Sequence, residues 1–252
     1  MTQKYLILDT ESVFDLYLRE AYQCIEPACE KARIGCRSLV AVAMWPIEID
    51  TMGRISTGTL ASWSRDECGS EAGLVKEAFA FMRQHDDHVI VTWGGLATDC
   101  QVLQLAAMTA DLTLPRQLAE TPGPRWKDLR QIDLGLALKG SGKTWHHMSE
   151  VLLRLGVPVV LLMGKADPAV RPDDIDWVQI AQHCEMDVLF TAMALIAWLR
   201  IQGMAPMHIP PGHLALLESF LRRRPNSMRE PILRRLADEL RAGLGCEFEL
   251  AA

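Results

Sequence analysis

The stretch that decides the fold reads Tyr5-Leu6-Ile7-Leu8-Asp9-Thr10-Glu11. Four apolar residues that lead directly into acidic ones predict a short buried strand, ending at Asp9. Because side chains alternate across a strand, Asp9 and Glu11 leave it on the same face. Two such carboxylates repel each other unless a cation lies between them, and hard divalent cations take oxygen ligands. The stretch predicts a central strand with a candidate metal site at its end, although a solvated strand end has the same residues.

Further apolar segments follow with the spacing of strands and helices. Strands are predicted at residues 38–45, 54–63, 88–93 and 126–133, and helices at 71–84, 99–110, 146–155 and 173–201. Met52-Gly53 predicts a hairpin turn between the second and third strands, and residues 12–36 predict a helical excursion beside the first strand. Three strands joined by hairpins, then alternating helices and strands, are typical of a mixed sheet with helices on its faces.

The end of the chain has a different pattern. Residues 205–212 are rich in proline and predict a linker. Leucines beyond it repeat at helical spacing on either side of Pro225-Asn226, which predicts a helical hairpin. The 252 residues suit one large domain with an appendage. We expect an α/β domain over residues 1–203 and a helical C-terminal extension over residues 204–252.

Composition excludes several classes of protein. Hydrophobic residues make up 49% of the chain and charged residues 23%, which is typical of a globular protein with a sizeable core. No apolar run reaches the roughly 18 residues of a transmembrane helix, so no membrane partner is expected. Seven cysteines without a C-x-x-C pair, and no apolar leader at the start, predict a reducing cytoplasm. The net charge of −6 disfavours bulk binding of nucleic acid, but clustered metal-binding acids would also contribute to it.

Two further acids stand at informative positions. Asp99 follows the predicted strand 88–93 and the pair Gly94-Gly95, where it either serves a site or caps the next helix. Asp187 lies inside an apolar helical run, four residues after His183, so the two share one helix face. A local His–Asp pair and a functional site both suit that arrangement.

Together these segments resemble the three sequence blocks of the DEDD 3′–5′ exonuclease superfamily. The resemblance is closest to stand-alone relatives of the proofreading exonuclease domain of family B DNA polymerases, and covers residues 4–202. The blocks are residues 6–11, the Trp93-Gly94-Gly95 segment with Asp99 and Leu103, and residues 183–188 with Thr191. Residues 148–158 also resemble the helix and Leu-Gly-x-Pro turn that precede the third block.

The resemblance implies a ribonuclease H-like fold with five strands, of which the second is antiparallel. It implies two Mg²⁺ or Mn²⁺ ions held by Asp9, Glu11, Asp99 and Asp187, which activate a water and stabilise the charge on the scissile phosphate. His183 would accept or orient the proton of that water. The implied reaction removes 5′-mononucleotides from the 3′ end of single-stranded nucleic acid, with DNA preferred over RNA.

The chain departs from the family pattern at two places. Gly94 and Thr98 replace the usual asparagine and aromatic residue of the second block. His183 stands four residues before Asp187, where one subclass has tyrosine, whereas the histidine subclass has its histidine five residues before, at Gln182 here. A shift of one residue rotates a side chain by about 100° on a helix. An imidazole with a pKa of about 6.5 is nevertheless a better base at neutral pH than a phenol at about 10.

Five residues are candidates for contacting nucleic acid. Thr10 and Trp93 belong to the first two blocks, and Lys143 lies in a glycine-containing basic loop. Arg222 and Arg223 begin an arginine-rich tail that either holds phosphates or forms an ordinary solvated helix face.

Two other motifs carry less weight. Gly140-Ser141-Gly142-Lys143-Thr144 lacks the first glycine of a phosphate-binding loop, since position 137 is alanine. The His146-His147 pair has no third ligand at zinc-site spacing, and no metal role is expected for it.

Three other functions stay open at this point. An exoribonuclease acting on short RNA is one, because no residue pattern here reads a 2′-hydroxyl. A non-catalytic nucleic-acid-binding module with the same fold is another, favoured by the irregular third block. The last is an adaptor whose helical tail binds a protein partner of unknown identity. Repair, proofreading in trans and mobile-element roles are not separated by the sequence.

Overall fold

The computed structural model describes residues 2–28, 33–119, 130–163, 175–227 and 229–250. Parts of the predicted strand 126–133 and helix 173–201 therefore lie outside the described residues. The strands are β1 (Gln3–Phe14), β2 (Arg37–Ile49), β3 (Ile55–Thr57), β4 (Ala61–Ser64), β5 (Val89–Thr92) and β6 (Gln131–Asp133). The helices are α1 (Leu16–Ile25), α2 (Glu71–Gln84), α3 (Asp99–Thr109), α4 (Leu134–Lys139), α5 (Met148–Arg154), α6 (Val159–Leu162), α7 (Trp177–Ile201), α8 (Ile209–Arg223) and α9 (Glu230–Leu250).

The strands form one mixed sheet in the order β3-β2-β1-β5-β6, with β4 also paired to β2. Strand β2 runs antiparallel to β1, whereas β5 and β6 run parallel to it. Helices cover both faces, and α8 and α9 follow at the C-terminal end. This confirms the predicted fold class, an α/β ribonuclease H-like mixed sheet flanked by helices with a C-terminal helical extension.

The predicted third strand is wrong in its continuity, so the described sheet has six strands where five were expected. β3 pairs with β2 at Ile47↔Thr57, but β4 pairs with it at Met44↔Ala61, one residue out of register. Pro46 lies at this break, and its carbonyl accepts a hydrogen bond of 2.8 Å from the Gly58 amide. The N–H and C=O of a strand residue point to the same neighbour, so the donor that proline lacks is missing where the strand divides.

The alternation of side chains along β1 divides the core into two layers. Tyr5 and Ile7 point to the layer that contains α7, whereas Leu6 and Leu8 point to the layer of α2 and α3. Asp9 and Glu11 continue the odd-numbered series toward α7. The sheet thus directs both carboxylates toward the helix that carries Asp187.

The C-terminal helices belong to the same core as α7. Helix α8 packs on α7 and β3, and the Phe220 ring meets the Trp45 ring edge-on at 6.2 Å. The buried His213 donates from Nε2 to the Met193 carbonyl at 2.9 Å. The predicted linker 205–212 ends early, since α8 begins at Ile209 with prolines in its first turn, where no N–H is required. Among the described helices, none has the length and apolar character to cross a membrane.

Candidate functional site

A polar cleft opens where β1, α3 and α7 meet. Its described lining contains the four predicted acids, Asp9, Glu11, Asp99 and Asp187, together with Thr10, Trp93, Thr98, His146, His147 and Met148. Residues from three distant segments therefore converge in this cleft. Asp99 and Asp187 are 8% and 5% exposed, which is unusual for carboxylates.

Asp99 is positioned by the loop after β5. Gly94 has a φ of 73°, which favours glycine, and a Cβ on Gly95 would lie 2.5 Å from the side chain of Thr92. The carboxylate of Asp133 accepts hydrogen bonds from the Gly94 amide at 2.8 Å and from the Leu96 amide at 3.1 Å. Sequence reasoning missed Asp133, because its partners lie 37 and 39 residues away. These contacts place Asp99 as the first residue of α3.

The Asp99 carboxylate connects α3 to β1. Its Oδ1 accepts from the Thr10 amide at 3.1 Å and from the Thr10 hydroxyl at 2.6 Å, and its Oδ2 accepts from the Thr98 hydroxyl at 3.1 Å. Burial raises the pKa of Asp99, while the hydrogen bonds from Thr10 and Thr98 act in the opposite direction. Thr10 therefore holds a carboxylate of the cleft, a role that the sequence did not predict for it.

The Asp9 carboxylate lies close to the three other acidic side chains of the cleft. Burial, followed by the negative charges of Asp187, Asp99 and Glu11, raises the pKa of Asp9 well above its usual range. Its Oδ2 atom is buried and has no hydrogen-bond partner among the described residues. Such an oxygen is costly to bury as a charged group unless a cation binds it. The donor set therefore fits a divalent metal ion.

His183 lies against two of the carboxylates. Its Nε2 atom is 3.7 Å from Glu11 Oε1 and 3.6 Å from Asp187 Oδ2. The four-residue spacing puts His183 and Asp187 on one face of α7, turned toward the second half of β1, which continues past the predicted end at Asp9 to Phe14. The imidazole thus reaches the carboxylates of Glu11 and Asp187 from position 183, although position 182 is glutamine.

Cys184 fastens α7 to β1 next to the cleft. It is fully buried, and its thiol donates to the Asp9 carbonyl at 3.2 Å. Burial raises the pKa of this thiol well above its usual range, and the nearby carboxylates of Asp9 and Glu11 act in the same direction. The thiol is therefore held protonated and acts as a donor, in a contact between residues 175 positions apart that no sequence pattern indicates.

The remaining candidates are divided between the cleft and other surfaces. Thr10 and Trp93 line the cleft, as do His146 and His147, but Lys143, Arg222 and Arg223 are not among the described lining residues. The Arg223 guanidinium donates to Ser219 Oγ at 2.6 Å and to the Thr57 carbonyl at 2.8 Å, and so joins α8 to β3.

Arg222 and Lys143 lie on other parts of the molecule. Arg222 lines a groove between α8 and α9 together with Arg234 and Arg241. Lys143 is exposed in the loop between α4 and α5. In the same segment Lys139 Nζ lies 4.5 Å from the centre of the Trp145 ring.

Comparison with known proteins finds matches among solved structures and none elsewhere. No family model matches the sequence. No curated protein matches it either. Among solved structures, the fold is similar to the family B DNA polymerase from the hyperthermophilic archaeon Pyrobaculum calidifontis, at 12% sequence identity and a TM-score of 0.47. The match covers 88% of the present chain and 29% of the polymerase chain, so the present chain spans less than a third of that protein.

Proposed function

We propose that this protein is a metal-dependent 3′–5′ exonuclease that hydrolyses single-stranded nucleic acid, preferring DNA, and releases 5′-mononucleotides. The observation that carries the proposal is the convergence of Asp9, Glu11, Asp99 and Asp187 in one cleft, with His183 against two of them. The direction of hydrolysis and the preference for DNA rest on the sequence resemblance to DEDD exonucleases.

Two Mg²⁺ or Mn²⁺ ions would be held by the four carboxylates. The buried Oδ2 of Asp9 and the raised pKa of that group support this, since a cation offsets both the burial and the repulsion between carboxylates that raise the pKa. Bound in pairs, such ions activate water and stabilise the charge that builds on a scissile phosphate. Without them, four carboxylates in one cleft would repel a phosphate backbone.

The protein side chains orient the reacting groups. Thr10 holds the Asp99 carboxylate at a fixed position by two hydrogen bonds. The Cys184 thiol and the burial of α7 fix His183 and Asp187 relative to β1. We assign His183 to the attacking water, and Trp93 in the cleft wall to the terminal base as a stacking surface.

The two parts of the chain have different roles in this proposal. Residues 1–203 contain the described lining residues of the cleft, and residues 204–252 pack against α7 through His213 and against β2 through Phe220. Arg229 joins this part of the chain to α6, because its guanidinium donates to the carbonyls of Leu161 at 2.6 Å and Met163 at 2.8 Å.

The direct test uses 5′-labelled single-stranded DNA and RNA of equal sequence with Mg²⁺ or Mn²⁺. A ladder that shortens from the 3′ end is expected, and EDTA or Asp187→Ala should abolish it while Asp86→Ala, at an exposed acid, leaves it unchanged. Thermal unfolding of Asp187→Ala shows whether the chain stays folded.

The other functions correspond to distinct results. Faster degradation of RNA would favour the exoribonuclease. Full-length bands with intact binding of the strand would contradict the nuclease and favour a nucleic-acid-binding module, the alternative that His183 in the tyrosine position supports. Loss of the ladder in Asp86→Ala as well would mean that the assay reports folding and not the site.

A further inference from the structure

The position of His183 relative to Glu11 and Asp187 has the dimensions of a shared metal site. Its Nε2 lies 3.7 Å from Glu11 Oε1 and 3.6 Å from Asp187 Oδ2, and one ligand atom from each of the three residues lies within 4.8 Å of the others. An N–H···O hydrogen bond is shorter, at about 2.7–3.2 Å. Ligands about 2.1 Å from one ion lie about 3.0 Å apart at a right angle and about 3.4 Å apart at the tetrahedral angle. The observed separations exceed these values by about 0.2–0.7 Å, so a small adjustment of the side chains would let the three residues share one ion.

We infer that His183 is itself a metal ligand, and that His183, Glu11 and Asp187 form a mixed nitrogen–oxygen site that favours Mn²⁺ over Mg²⁺. The inference rests on the proposed function for the presence of divalent ions in the cleft. It assigns to the imidazole a role that a tyrosine at this position would not share, because a neutral phenol is a poor ligand.

The choice of ion follows from the donor atoms. Mg²⁺ keeps oxygen ligands and several waters, whereas first-row transition ions accept imidazole nitrogen readily. Mn²⁺ takes carboxylates as Mg²⁺ does and also accepts a nitrogen ligand. One imidazole beside two carboxylates therefore favours Mn²⁺.

The surroundings of His183 hold the imidazole ready for this role. Its side chain is 15% exposed, and it projects from α7 at a point where the next residue, Cys184, is fastened to Asp9. A ligand on a fixed helix face loses little conformational freedom when an ion binds. The Nε2 lone pair cannot bind a cation and accept a proton at the same time, so His183 would hold the ion and would not serve as a free base.

Metal binding without nucleic acid tests the inference. The full chain, His183→Tyr, His183→Gln and the control His208→Gln are titrated with MnCl₂ and with MgCl₂ by calorimetry. His208 is exposed at the start of α8 and has no capping hydrogen bond. Pulsed electron paramagnetic resonance of bound Mn²⁺ then reports directly whether a nitrogen atom coordinates it.

We expect a nitrogen coupling in the wild type and in His208→Gln, and none in either His183 variant. Loss of the ligand should weaken Mn²⁺ by about 10-fold or more and Mg²⁺ by about threefold or less. Thermal unfolding shows whether the variants fold. If His183→Tyr does not fold, His183→Gln, which is the smaller change, still tests the inference.

The inference is overturned by a wild-type Mn²⁺ spectrum without nitrogen coupling, or by equal losses for both ions in the His183 variants. Its failure differs from failure of the proposed function. Nitrogen coupling in a protein that degrades no strand supports the ligand and contradicts the nuclease. Strand degradation without nitrogen coupling keeps the nuclease and leaves His183 as a base.

Discussion

Acid should weaken the attachment of α8 to α7 by protonating His213. This imidazole is 2% exposed, and its Nε2–H donates to the Met193 carbonyl inside the core. Burial lowers the pKa of His213 from 6.5 to about 4, although the bond to Met193 acts in the opposite direction. Because α7 carries His183 and Asp187, the bond between His213 and Met193 helps to hold these two residues in position.

The sign and size follow from the two pKa values. The unfolded chain binds the proton at pH 6.5 and the folded chain at about 4, so stability is complete above pH 6.5 and decreases as the pH falls toward 4. One pKa unit corresponds to about 1.4 kcal/mol, so the full loss is about 3 kcal/mol, of which about 2 kcal/mol is reached at pH 5.

Urea unfolding at pH 7 and pH 5 measures this, with His213→Gln as the test variant. Glutamine keeps an amide donor for the Met193 carbonyl but does not titrate. The decrease in unfolding free energy between the two pH values should be smaller in His213→Gln by about 2 kcal/mol. The control His208→Gln should behave like the wild type. Equal decreases in wild type and His213→Gln would refute the reasoning.

Three further results are expected. Asp9→Asn should raise the melting temperature of the metal-free protein, because it removes a buried carboxylate that other carboxylates surround. It should also abolish the stabilisation by metal, which is roughly 2.7 kcal/mol for an ion at 100 times its Kd. A wild type that MnCl₂ does not stabilise would contradict this. Arg224→Met should lower the free energy of unfolding in urea by about 3–5 kcal/mol, because it leaves the buried Glu185 carboxylate without its 2.7 Å ion pair. Adding Glu185→Gln should recover part of that stability. No recovery would contradict the ion pair as the cause. Arg229→Lys should cost about 1–3 kcal/mol, since an ammonium cannot serve the carbonyls beside α6 together; an unchanged urea midpoint would contradict that.

Local signals predicted much of the fold. Helix α2 has the predicted bounds, 71–84, because its apolar residues repeat at helical spacing and Ser70 caps it by accepting from the Gly73 amide. The common face of Asp9 and Glu11 follows from strand alternation alone. The proximity of His183 and Asp187 follows from their four-residue spacing on a helix. Both of these contacts are local, so the sequence alone predicts them.

Contacts between distant segments account for what the sequence did not show. The break between β3 and β4 depends on which strand lies beside Pro46, and that neighbour is fixed only by the sheet order. The bond from Cys184 to Asp9 joins residues 175 positions apart. The charge of Arg223 makes it a candidate for binding phosphate, but the structure directs its guanidinium to Ser219 and Thr57.

Asp133 at the end of the short edge strand β6 makes one carboxylate the acceptor for separate parts of the molecule. Its Oδ1 atom receives the Leu136 amide of α4 at 3.0 Å as well as the Gly94 amide, and its Oδ2 receives the Leu96 amide. When the edge strand detaches by local unfolding, the Gly94 and Leu96 amides lose their acceptor at once, whereas Leu136 lies in the same segment as Asp133 and keeps it. The Gly94 and Leu96 amides should therefore exchange hydrogen with solvent as a single cooperative unit. Opening of this sheet edge would also release the loop that holds Asp99 beside the other carboxylates.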